Sequence, residues 1–124
     1  MTLERLSLGR QGEEIAARYL QRQGMKILAR NLRTPVGEID LVARHKRLLV
    51  FIEVKTRRGT AFGSPAEAVG PRKQRQIVQA AKWYLNDHPQ RALQPRFDVV
   101  AIILSGETPQ IEHIPGAFEL SPSL

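Results

Sequence analysis

Four charged residues stand in a stretch that otherwise reads as two apolar strands. From Gly37 to Arg58 the chain runs GEIDLVARHKRLLVFIEVKTRR, with Glu38, Asp40, Glu53 and Lys55 interrupting it. Charged side chains seldom sit in runs such as VFIEVK unless something pairs with them or binds them. An Asp on one strand and Glu-x-Lys on the next supply the groups that metal-assisted phosphodiester hydrolysis needs. Two neighbouring carboxylates repel, and one protonates unless a cation lies between them. Mg²⁺ or Mn²⁺ suits such hard oxygen ligands. A cation held by Asp40 and Glu53 would polarise a phosphodiester and lower the pKa of a bound water. Lys55, on the face of Glu53, would orient that water or stabilise charge on the pentavalent phosphate. The plainer alternative is a solvated Glu53–Lys55 pair on an exposed sheet face. Asp40 across the hairpin and the apolar neighbours favour the site.

Two strands must position these groups. Ile39 to Ala43 and Leu48 to Val54 are rich in Val, Ile, Leu and Phe, with His45, Lys46 and Arg47 between them. So short a connector implies an antiparallel hairpin. With the turn at Lys46, paired positions sum to about 92, which sets Asp40 beside Ile52 and Glu53. Side chains alternate faces along a strand, so Glu53 and Lys55 share one face, as do Glu38 and Asp40.

Around the hairpin the chain has an α/β order. Ser7 is the expected cap of a first helix running to about Gln23, with Gly24 as its stop. Ile15, Ala16, Tyr19 and Leu20 form its apolar stripe. Glu13 falls beside Ala16, Ala17 and Leu20 and is expected to look toward the sheet, whereas Glu14 reads as a helix-start acid favoured by the macrodipole. Met25 to Leu32 reads as an edge strand followed by Asn31 and Arg33, and Thr34, Pro35 and Val36 turn it into GEID. TRRGTAFGS, from Thr56 to Ser64, reads as a mobile loop leaving the site, with Arg57 and Arg58 available to backbone phosphates and Phe62 and Gly63 anchoring its far end.

A second helix is expected from Pro71 to about Asn86, buried through Ile77, Ala80, Ala81, Tyr84 and Leu85. Arg72, Arg75 and Lys82 lie on another face. Lys73 stands four residues before Ile77 and so extends the apolar stripe, either snorkelling past the core edge or aimed at the carboxylates. Trp83 is open to two readings, core or a base-stacking group, and the core assignment is preferred. RFDVVAIIL, from Arg96 to Leu104, should be the central strand, with Asp98 as a structural partner. Gln110 to Ile114 pairs with it, and residues 119–124 form a frayed tail. His45, His88 and His113 are too scattered for a zinc site.

Composition narrows the classes. A chain of 124 residues with 42% hydrophobic content and no cysteine reads as one domain without disulfides or thiolate metal sites. MTLERLSLGR lacks the apolar run of a signal peptide, and no stretch is long enough to span a membrane, so a cytoplasmic protein is expected. All 19 Lys and Arg fall at or before Arg96, among eight acids, so that this segment carries +11 and the remaining 28 residues −4. A basic body around a carboxylate cluster suits a phosphate polyanion such as DNA, bound in a salt-sensitive way.

The series G-E-I-D, then F-I-E-V-K-T-R, then F-G-S-P-A-E-A-V, then a Lys-bearing helix, resembles the YraN family of small bacterial proteins. MKILARN resembles a further segment of that family. Through it the chain is similar to the PD-(D/E)xK nuclease superfamily, including archaeal Holliday-junction resolvases, from about Leu8 to about Ile103. The resemblance implies a restriction-endonuclease-like three-layer core, α/β, with a mixed sheet of about five strands flanked by helices, in one nuclease-like domain over 1–124. It implies that Asp40 and Glu53 hold Mg²⁺ or Mn²⁺, with the Val54 carbonyl as third ligand, and that Lys55 is the catalytic lysine. Glu13, in the G-x-x-G-E opening, corresponds to a helix acid that approaches the metal, and Lys73 to a phosphate-binding or site-supporting residue. The superfamily name suggests Pro where Gly37-Glu38-Ile39 precedes Asp40. By resemblance the substrate is branched or structured DNA and the protein a homodimer. Two other classes are a nucleic-acid-binding module that kept the fold without the chemistry and an interaction factor with a vestigial site.

Overall fold

The computed structural model describes residues 3–59, 69–88 and 93–119, with side chains from Ser7 onward. Its order is α1 (Leu3–Arg22), β1 (Lys26–Thr34), β2 (Gly37–His45), β3 (Leu48–Arg57), α2 (Pro71–Asp87), β4 (Gln94–Ile103) and β5 (Gln110–Phe118). The strands form one five-stranded sheet in chain order. All neighbours are antiparallel except β3 and β4, which run parallel across the α2 crossover. With α1 on one face and α2 on the other, this is the expected α/β, restriction-endonuclease-like three-layer arrangement.

Local sequence explains the bounds. Helix α1 begins a turn before Ser7, because Leu3, Glu4, Arg5 and Leu6 are good helix formers. Ser7 is therefore an exposed helical residue and not the cap. The helix ends as expected at Gly24, whose φ of 93° suits a residue without Cβ. There Met25 N–H donates to the Leu20 carbonyl and Gly24 N–H to that of Gln21, the paired bonds of a Schellman ending. Pro71 opens α2, as its fixed φ allows.

Each sheet face carries its own core. On the α2 side Phe51 stacks on Phe97 at 5.5 Å and meets the Tyr84 ring edge-on, with Ile39, Val42, Ile77 and Val78 around them. On the α1 side Ala16, Ala17 and Leu20 pack on Leu41, Val50, Ile52, Val100 and Ile102. Strand β3 is covered on both faces and holds the middle of the sheet, while the RFDVVAIIL strand lies one place off centre. Trp83 is 37% exposed, contrary to the core assignment, because it projects beside the Ile77–Ala81–Tyr84 stripe and not along it.

Gly12 records how closely α1 approaches β3. A Cβ there would collide with the Thr56 side chain, its Oγ1 above all. Ala in a helix interior ordinarily gains about 1 kcal/mol over Gly. Gly12→Ala should instead lose about 1–3 kcal/mol through overpacking, read as a lower urea midpoint with unchanged m-value.

A second buried charge knits β4, β5 and α1. Asp98 is fully buried at an irregularity in the β4–β5 register. It accepts two bonds from Arg96 at 2.8 Å, one from His113 Nε2 at 2.8 Å and one from Gly116 N–H at 3.0 Å. His113 Nδ1 lies 3.2 Å from the Tyr19 hydroxyl of α1. Burial raises the Asp98 carboxyl, but the bonds from His113, Arg96 and Gly116 outweigh it and hold the group below its usual range. Asp98 is thus the structural partner its place in the strand suggested.

Candidate active site

The β2–β3 hairpin turns over two residues, Lys46 and Arg47, with Lys46 at φ 57°. Its pairs run from His45 opposite Leu48 to Leu41 opposite Ile52, so they sum to 93, not the expected 92. Extended by one step, that register sets Asp40 directly across from Glu53. The ladder stops at Leu41, however, and beyond it the Asp40 carboxylate itself takes up the β3 main chain: Val54 N–H donates to Asp40 Oδ2 at 2.8 Å. In an extended strand the N–H and C=O of one residue point to the same side. The Val54 carbonyl therefore faces the Asp40 side of β3 as well.

Asp40 reaches this position because alternation breaks around it. Ile39 packs in the α2-side core and Leu41 in the α1-side core, although residues two apart on a strand ordinarily share a face. Strand β1 breaks at the matching place. Arg30 reaches Glu14 of α1, Leu32 packs on the α2 side, and Asn31 between them has φ 51°. Glu38 is exposed and lies 3.7 Å from Arg33, while its charge still acts on Asp40 and Glu13.

Glu53 shares its face with Phe51, toward α2. It is 6% exposed. Two cations flank its Oε1: Lys55 Nζ at 3.8 Å and Lys73 Nζ, from α2, at 3.9 Å. Lys73 is therefore aimed at the carboxylates. Glu13, half-buried on α1, approaches from the other face, where the Asn31 amide holds it. The amide turned to donate brings its nitrogen 2.8 Å from Oε1 and 3.3 Å from Oε2, whereas the opposite orientation would set acceptor against acceptor. Arg10, Glu14, Arg30 and Leu41 complete the small cleft around Glu13 and Asn31.

The electrostatics follow from this crowding. Burial and the Asp40 charge push the Glu53 carboxyl up to about 7, with Lys73 and Lys55 opposing. Burial also raises Asp40, against the Val54 N–H and the two lysines. Glu13 is raised by burial, then by Asp40 and Glu38. Stability gained from a protonated Glu53 is complete below its ordinary 4.5 and is lost as pH rises through about 7. Glu53→Gln, which mimics the protonated acid, should raise unfolding free energy at pH 8 by on the order of 3 kcal/mol, with the gain vanishing near pH 4.5. Urea unfolding at both pH values, without divalent ions, measures it.

Asp40, Glu53, the Val54 carbonyl and Glu13 are the groups here that could hold a cation. Among the described residues no set of three or more His, Cys, Asp or Glu is gathered as a ready cage. That donor set nonetheless fits Mg²⁺, which usually keeps several waters and takes only one or two carboxylates plus substrate oxygens. Of the loop residues, Arg57 is half-buried at the end of β3 and Arg58 exposed beyond it. Thr60 to Ser64, with Phe62 and Gly63, fall outside the described residues, as do most of F-G-S-P-A-E-A-V and the tail 120–124. Sequence reasoning gave Asn31 no role; its signal was a polar residue within the apolar rhythm of MKILARNL. No described helix is long and apolar enough to cross a membrane.

Residues 12–102 match the family described as Uncharacterised protein family UPF0102. That span contains Glu13, Asn31, Asp40, Glu53, Lys55 and Lys73. A UPF0102 protein of Syntrophotalea carbinolica is 64% identical over 120 residues, covering 97% of this chain and 98% of its own. One from Geobacter metallireducens is 51% identical over 121 residues, covering 98% and 99%. One from Rhodococcus jostii is 53% identical over 114 residues, covering 91% and 97%. Matched over most of its length by the family and nearly end to end by these relatives, the chain belongs to the uncharacterised protein family UPF0102, the YraN family.

Proposed function

We propose that the chain is a Mg²⁺- or Mn²⁺-dependent endonuclease that hydrolyses phosphodiester bonds in structured or branched DNA. The observation that carries this is Asp40 held on the Val54 N–H next to the buried Glu53, whose carboxyl its charge raises, with Lys55 and Lys73 both within 4 Å of Glu53. A buried acid raised to about 7 beside a second raised acid is an electrostatic demand for a cation. Lys55 and Lys73 meet that demand only in part.

Asp40, Glu53 and the Val54 carbonyl would hold the ion, joined by Glu13 from α1. When bound, the ion supplies Lewis-acid polarisation of the phosphoryl oxygen and a more acidic water. Lys55, one third exposed at the cleft, positions the attacking water and stabilises charge gathering on the phosphorane oxygens. Lys73 steadies Glu53 and is close enough to trade that carboxylate for a substrate phosphate. Arg57 and Arg58 continue the positive surface along the exit of β3 and engage backbone phosphates. The net charge of +7 supplies the long-range attraction, so binding should fall steeply with added salt.

Calorimetric titration of Mn²⁺ into the wild type and Asp40→Ala, with cleavage assays on linear, flapped and four-way DNA, tests the proposal. Wild type is expected to bind Mn²⁺ and to cut at least one branched substrate, and Asp40→Ala to do neither. A wild type that takes up no divalent ion would exclude the enzyme. Salt-sensitive DNA binding without metal uptake would favour a non-catalytic binding module that kept the fold.

A further inference from the structure

Asn31 has three unusual properties at one point. It is a non-glycine residue at φ 51° inside a strand. It stands between Arg30, paired with Leu41, and Leu32, paired with Ile39, and so across from Asp40. Its amide nitrogen donates to Glu13 at 2.8 Å and 3.3 Å. Asn31 is exposed, so core packing does not account for its conformation. The break in alternation on β1 and the one on β2 both fall here, and the second of them turns Asp40 toward Val54 N–H.

The partner chosen for Glu13 is informative beside that of its neighbour. Glu14 is held by two arginines, Arg18 at 3.0 Å and Arg30 at 2.7 Å. Glu13 is held by a neutral amide. A guanidinium would neutralise the carboxylate and repel a divalent cation, whereas an amide fixes its orientation and leaves its charge. Ligand-orienting hydrogen bonds of this kind commonly govern affinity at metal sites. Asn is also among the few side-chain-bearing residues that tolerate the left-handed region, so one residue can supply both the kink and the donor.

We infer that Asn31 is a positioning residue whose left-handed backbone and amide together aim Asp40 and Glu13 at one cation site. The role of that site rests on the nuclease proposal, but the contact between Asn31 and Glu13 does not. Asn31→Gly keeps the backbone accessible and removes the amide; Asn31→Ala removes the amide and strains the backbone. Asn31→Ala should fall below Asn31→Gly in thermal midpoint, while both bind Mn²⁺ about 10–100-fold more weakly by calorimetry. Wild-type Mn²⁺ affinity in both variants would overturn the inference, leaving only a backbone role. A metal-free cycle of Glu13→Ala, Asn31→Gly and the double variant supplies the independent arm. Its urea midpoints should depart from additivity, and additive midpoints would overturn the inference. If wild type binds no Mn²⁺, the nuclease proposal fails on that result, and the cycle still decides whether Asn31 holds Glu13.

Discussion

Lys55→Met should bind Mn²⁺ at least as tightly as wild type while cutting DNA roughly 10²–10⁴-fold more slowly. The two halves of this result have separate causes. Lys55 Nζ lies 3.8 Å from Glu53 Oε1 and competes with any cation for that carboxylate. Removing it leaves Asp40, Glu53 and the Val54 carbonyl in place and takes a positive charge from their midst, so cation affinity does not fall. A methionine cannot hold a water or offset phosphorane charge, so the loss is confined to the reaction. Single-turnover cleavage of a branched DNA cut by wild type, with calorimetry on the same samples, separates the terms. Unchanged cleavage would reduce Lys55 to a counterion of Glu53. Lys73 at 3.9 Å could then carry the role, and Lys73→Met would reveal it.

Asp98→Asn should destabilise the fold by about 3–5 kcal/mol without touching the carboxylate site, because breaking a buried pair strands its partner. The carboxylate accepts all four of its short contacts, from Arg96, His113 and Gly116. An Asn amide must present N–H groups to some of these donors. Because the Asp98 carboxyl is held below its usual value of 3.8, its stabilisation is complete above about pH 4 and is lost as pH falls through the lower folded value. The gap between wild type and variant in urea midpoint should therefore be widest near neutrality and narrow in acid. A constant gap from pH 7 to pH 3 would mean that shape, not charge, holds the corner.

The hairpin was legible because its signal is redundant. Branched and aromatic residues mark both strands, and HKR allows only a short connection. The register missed by one because a turn centred on Lys46 and a two-residue turn at Lys46–Arg47 look alike in sequence, and only the left-handed φ at Lys46 decides. Extended one step past Leu41, the corrected register sets Asp40 across from Glu53 alone. Spacing left Lys73 two places to point, past the core edge or at the carboxylates, and the family resemblance favoured the second, where it lies. Trp83 was not: its bulk argued for burial, but 100° per residue puts it off the stripe that Tyr84 occupies. The face change at Asp40 lay beyond period-two reasoning, which carries strict alternation through and has no signal for a break within a strand.

The irregularities of β1 also bear on solubility. This strand pairs with β2 on one side and forms an edge of the sheet on the other. A straight nine-residue edge would be a template for a second copy to add to, strand on strand. The register shift between Ile27 and Ala29, the left-handed Asn31 and the exposed Lys26, Arg30 and Arg33 spoil that template in succession. The kink that feeds the cleft thus also guards the edge. Substitutions that straighten β1 should cost the protein its dispersity as well as its site, with aggregates in light scattering appearing before any loss of helical signal.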